Sequence, residues 1–103
     1  MPKQLLTLLT LATSLLCAPV WADQALATSK NCMACHALDK RVVGPAYKDV
    51  AAKYAGDKSA VDRLATKIQK GCGGVWGPMP MPANTQVSEV EAKKLATWVL
   101  TIK

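Results

Sequence analysis

The run "KNCMACHALDK", Lys30 to Lys40, places two cysteines and the chain's only histidine within five residues. No other feature narrows the available folds as strongly. Cys32 and Cys35 stand three apart and His36 follows directly, so on a helical turn all three project from one side. An arrangement of this kind has to serve some joint chemistry of two thiols and an imidazole.

The compartment limits that chemistry. Lys3 gives the N-terminus one positive charge, and from Gln4 to Ala22 no charged residue follows, through a leucine-rich run that includes Leu5, Leu6, Leu8, Leu9, Leu11, Leu15 and Leu16. A cationic start, an apolar stretch and the small residues Val20 and Ala22 in "APVWA" are the layout of a secretory leader. Cleavage is expected after Ala22, so that residues 1–22 are removed and residues 23–103 form the working domain. A retained anchor is the alternative, but Thr7, Thr10, Thr13, Ser14 and Pro19 make the run a poor spanning helix. Cys17 is discarded with the leader; Leu16 before it is unlike the small residue that a lipoprotein signal places there.

The remaining 81 of 103 residues make one small domain with little surface to bury, so something besides side chains should help fill its core. They keep 12 of the 13 lysines and arginines against all 7 acidic residues, a formal excess of +5. That balance favours acidic partners. Nucleic acid is set aside, because an exported chain rarely meets it, and no stable membrane insertion is expected of the mature domain.

Three segments repeat the apolar spacing i, i+3, i+4, i+7: Tyr47, Val50, Ala51, Tyr54; Val61, Leu64, Ala65, Ile68; and Leu95, Trp98, Val99, Ile102. Each predicts an amphipathic helix. Gly56 and Gly71 read as stops, and Ser59 with Asp62 and Ser88 with Glu91 as capping boxes. Gln24 to about Met33 is a weaker helical segment that should run straight into the cysteine motif. Nothing alternates like a strand. The run Gly71 to Val87, "GCGGVWGPMPMPANTQV", has no helical period and is long for a connection in so small a domain, which points to a functional loop.

Four chemistries use two thiols and an imidazole at this spacing. A disulfide staple is the plainest in an oxidising compartment. A thiol–disulfide redox pair wants a strand–helix setting that this pattern lacks. Zinc, with Cys72 as a further ligand, is disfavoured because the adjacent Cys35 and His36 cannot easily both reach one tetrahedral ion from a helix. Covalent haem c uses all three residues: each thiol adds across a vinyl group to form a thioether, and the imidazole reaches the iron. Export, the shortfall in core volume and the helical pattern agree with this last reading.

With His36 the only histidine, the sixth iron position is left to methionine, lysine, Cys72 or nothing. Met33 lies too near His36 to reach the other side. The loop offers Met79 and Met81, and a methionine between Pro80 and Pro82 has a restricted backbone that presents its sulfur at little ordering cost. A neutral sulfur favours ferrous iron.

Across Lys30 to Ile102 the chain resembles the small bacterial class I cytochromes c of the cytochrome c-551 type, on the runs "CMACH", "VGPAYKDVAAKYAG", "GVWGPMPMPAN" and "LATWVL". The resemblance implies an all-α fold of four to five short helices around one haem c, with the terminal helices crossing, and one-electron transfer in the periplasm without catalysis. It implies attachment through Cys32 and Cys35, His36 as proximal ligand and Met81 as distal ligand, with Met79 left to packing. It further implies that the Pro45 carbonyl orients His36, that Asn84 donates to the Met81 sulfur, that Trp76 donates to a haem propionate, and that Lys67 lies near one. Tyr47 and Trp98 read as core aromatics. Ala83 departs from the family's pattern, which has a proline there.

A monomer is expected. Cys72 would be a free thiol, read as a small residue in a tight turn, with pairing of two molecules as the alternative. Lys30, Lys40, Arg41, Lys48 and Lys70 are the candidates for a basic ring at the exposed haem edge. Family analogy gives a terminal reductase or oxidase as acceptor and a membrane quinol-oxidising complex upstream. The competing class is a haem protein with an open sixth site, a gas sensor or a peroxidase-like enzyme.

Overall fold

The apolar spacings become helices in the computed structural model, at Ala22–Ser29 (α1), Tyr47–Lys53 (α2), Ala60–Lys70 (α3) and Glu89–Val99 (α4), with a 3-10 turn at Cys32–Ala34. It describes residues 22–103; the expected leader, apart from Ala22, lies outside them, as does Cys17. Among the described residues the only strand-like pairings are two isolated antiparallel bridges, His36 with Arg41 and Cys72 with Met81. The architecture is the all-α arrangement that the resemblance implies.

α1 does not run into the cysteine motif. It ends at Ser29, and Asn31 adopts a left-handed conformation (φ 65°, ψ 16°) that asparagine tolerates better than most residues. The chain then winds more tightly, with the Cys35 and His36 amides both donating to the Cys32 carbonyl (3.2 and 3.1 Å). At three residues per turn, positions three apart lie on one side, and Cys35 follows directly as the cap of the turn that Cys32 opens.

The two expected capping boxes have different outcomes. At α4 the box is complete: Glu91 N–H donates to Ser88 Oγ (3.1 Å) and Ser88 N–H to Glu91 Oε1 (3.0 Å). At α3 Ser59 makes no cap. Its amide and hydroxyl both donate to Asp57 Oδ1 (2.9 and 2.8 Å), while Arg63 donates to Asp57 Oδ2 (2.6 Å). An Asx-type turn before the helix has captured the serine that the spacing assigned to Asp62. α4 also stops three residues short of Ile102, closing on i to i+3 bonds from Thr101 to Trp98 (2.9 Å) and Ile102 to Val99 (3.2 Å).

α4 is the hub: α1, α2 and α3 all pack on it. Its buried Ala92, Leu95, Ala96, Trp98 and Val99 join Ala27 of α1, Tyr47 and Val50 of α2, and Ala65 of α3 in one core. Buried alanines let helix backbones approach closely. Lys30 then clasps α1 to α4 from outside, through Glu91 (3.3 Å) and the Gln86 carbonyl (3.1 Å). Yet no large side chain among the described residues is completely buried. The centre is occupied by a cleft.

Candidate cofactor site

The cleft has a volume of about 400 Å³, within the ~300–1,000 Å³ of typical ligand sites. Its walls come from most of the fold, α1 excepted: the cysteine turn, Tyr47 and Val50 of α2, Leu64 and Ile68 of α3, the loop after α3, and Leu95 and Val99 of α4. The eight candidate residues, Cys32, Cys35, His36, Pro45, Lys67, Trp76, Met81 and Asn84, all line it.

His36 is the most constrained of them. Its Nδ1 lies 2.8 Å from the Pro45 carbonyl oxygen, which can only accept, so Nδ1 carries the proton and Nε2 of the neutral ring keeps its lone pair. Gly44 makes room for this. A Cβ there would stand 2.6 Å from His36 Cε1 and 3.0 and 3.1 Å from the two ring nitrogens, so no other residue fits without displacing the imidazole. Tyr47 stacks on the same ring, with centroids 4.8 Å apart and planes 19° apart. Its role is therefore wider than the core packing expected of it. Spacing marked Tyr47 as a core position without its partner and did not mark Gly44, although a glycine directly before proline in "GPAY" is the kind of position where backbone must approach closely.

Burial pushes the Cys32 thiol up from its usual range, with a nearby Tyr47 hydroxyl opposing the shift. Cys32 is half-buried and Cys35 exposed.

Met81 and Met79 part company. Met79 is 65% exposed, whereas Met81 is half-buried and its backbone is fixed by a reciprocal pair of hydrogen bonds with Cys72, Met81 N–H to the Cys72 carbonyl (2.8 Å) and Cys72 N–H to that of Met81 (3.1 Å). Gly71 permits this pairing, being at φ +80° with a Cβ position only 2.7 Å from the Met81 oxygen. Cys72 thus sits in an isolated antiparallel bridge with Met81, where a tight turn was expected, and contributes its backbone to the seating of Met81.

Asn84 lines the cleft, but its amide nitrogen donates to the Ile68 carbonyl (2.9 Å) and at a long 3.4 Å to that of Pro82, a geometry different from the donation to Met81 sulfur that the resemblance implies. The end of α3 has free carbonyls that attract the amide. Lys67 reaches the Tyr54 hydroxyl (3.2 Å). Trp76 is ringed by cations: Arg41 Nη2 donates to its carbonyl (2.8 Å) and Lys53 Nζ lies 5.6 Å from its ring centroid. Lys30 is consequently engaged within the fold, and Arg41 makes its contact while exposed, as Lys40, Lys48 and Lys70 also are.

The cleft suits a flat, mainly apolar group bearing a metal. It offers two thiols beside a tethered imidazole with a free lone pair, a seated thioether from another segment, apolar walls, and cations around Trp76 for anionic substituents. These are the donors and surroundings that haem c requires.

Comparison with known proteins agrees. Residues 24–103 match the family described as Cytochrome c. The chain is 53% identical to cytochrome c-551 of Pseudomonas aeruginosa, over 99% of this chain and 98% of that one. It is 59% identical to cytochrome c-552 of Hydrogenobacter thermophilus, over 81% and 84% of the two chains. Among solved structures, wild-type Nitrosomonas europaea cytochrome c552 superposes with a TM-score of 0.76 at 54% identity, over 78% of this chain and 99% of that one. The class 1 cytochrome MtoD of Sideroxydans lithotrophicus superposes at 0.66 with 30% identity, over 84% and 98%.

Proposed function

The chain belongs to the cytochrome c family, as a class I member of the c-551 type and an electron carrier rather than an enzyme, and from that premise we propose how it carries its electron. One haem c would be held per chain, attached through Cys32 and Cys35 and bound at its iron by His36 and Met81. When bound, the haem iron supplies a centre that gains and loses one electron.

The remaining work falls to the polypeptide. Pro45 holds the His36 Nδ1 proton, which fixes the tautomer and strengthens donation from Nε2. Cys72, Pro80 and Pro82 hold the Met81 backbone, so its sulfur stays available in both charge states. Val50, Leu64, Ile68, Leu95 and Val99 keep water from the cleft, while Trp76 and Lys67 receive carboxylate substituents. A site that changes little between states reorganises little. The single observation that carries this reading is the convergence of Cys32, Cys35, a carbonyl-tethered His36 and a backbone-seated Met81 on one cleft.

The compartment is the periplasm, on the strength of the leader-like residues 1–22. Among the described residues no helix is long and apolar enough to cross a membrane. The exposed Lys40, Lys48 and Lys70 favour transient, salt-sensitive docking with an acidic face of a terminal reductase or oxidase, supplied from a quinol-oxidising complex.

Carbon monoxide tests the ligand assignment and the open-site alternative together. The reduced wild-type protein is expected not to bind it at neutral pH. Met81→Ala binds it and has a lowered potential, and Met79→Leu behaves as wild type. Carbon monoxide binding by Met79→Leu but not by Met81→Ala would exchange the roles of the two methionines.

A further inference from the structure

We infer that Tyr47 is a positioning residue for His36: its ring, lying flat on the imidazole, fixes the plane that the imidazole adopts. The inference deepens the reading of His36 as an axial ligand and rests on it. A single hydrogen bond from Nδ1 to Pro45 fixes one point of the ring and leaves it free to pivot about that contact. Flat surfaces packed on the ring remove this freedom. Tyr47 supplies one at 4.8 Å between centroids and 19° between planes, inside the ~4.5–7 Å range of favourable aromatic pairs. Gly44 adds a close backbone contact, since a Cβ there would meet Cε1 at 2.6 Å.

Tyr47 is itself unable to move aside. It is 7% exposed, its amide donates to the Ala37 carbonyl (3.0 Å) at the residue after His36, and it meets Trp98 edge-on at 5.5 Å and 78°. Trp98, 6% exposed on the hub helix, backs it from behind. The core of the molecule is thereby connected to the imidazole through two aromatic contacts.

The plane of an axial imidazole sets how its π system overlaps the metal orbitals, and the oxidised holoprotein reports that overlap in the hyperfine-shifted proton resonances of the haem methyl groups. Tyr47→Phe keeps the stack and loses the hydroxyl; Tyr47→Leu and Tyr47→Met fill the space without a flat face. The Phe variant should retain the wild-type order and spread of the methyl resonances. The Leu and Met variants should change both and shift the midpoint potential, with haem still attached. Two proteins with different apolar fillings guard against one failing to fold. A Leu or Met variant whose methyl pattern superposes on wild type overturns the inference, as does a Phe variant that behaves like Leu. A wild-type protein without a low-spin, six-coordinate spectrum would instead remove the underlying ligand assignment.

Discussion

Gly44 and His36 show how much a single missing atom decides. Gly44 does not sit at positive φ, so its backbone accepts alanine and any cost of the substitution comes from the imbedded contact with the ring. Gly44→Ala is expected to destabilise the protein by about 1–3 kcal/mol, the usual penalty for forcing extra volume into packed surroundings. A urea midpoint equal to wild type would show that the imbedded imidazole can move aside freely. Residues marked by chain spacing do meet on the cleft: Cys32, Cys35 and His36 stand out by their separation, and Met81 by its flanking prolines and its place in the family motif. Gly44 and Tyr47 were not, because a helical period marks Tyr47 as buried without naming the side chain it meets. Asn84 was placed on the cleft, yet its amide turns to the carbonyls at the end of α3 and of Pro82.

Among the elements, α4 carries the most. Its capping box and the Lys30 clasp meet at one carboxylate, Glu91, which the Ser88 backbone N–H first, and Lys30 after it, hold below the usual 4.5. A carboxylate lowered in the folded state lends stability that is complete above its unfolded pKa and is lost as pH falls through the folded one. The thermal midpoint should therefore hold steady from neutral pH to about 5 and decline below 4.5. Glu91→Gln should be less stable near neutrality and show a shallower acid decline, some slope remaining because Asp57 is lowered as well, chiefly by Ser59. Parallel curves for the two proteins would leave the capping box without an electrostatic share. Helix existence was plain from apolar spacing, and the Ser88–Glu91 box from its residues. The Ser59 box failed because Asp57, two residues away, is a nearer acceptor, and α1 stopped early because Asn31 takes a left-handed turn that periodicity does not register.

For the whole molecule, the described residues enclose a central cleft of about 400 Å³ into which a further group fits. The shortfall in core volume was visible from length alone. The basic face was only partly so: Lys30 is drawn to Glu91, and the exposed Arg41 is tied to the Trp76 carbonyl, contacts between residues distant in sequence. Electron carriage depends on covalent haem c more than on any single packing contact. The most direct measurement is the mass of the acid-denatured protein, purified from cells that mature c-type cytochromes. One haem added to the polypeptide, and its disappearance when Cys32 and Cys35 are both replaced by alanine, is the predicted result; a mass equal to the bare chain would contradict the account.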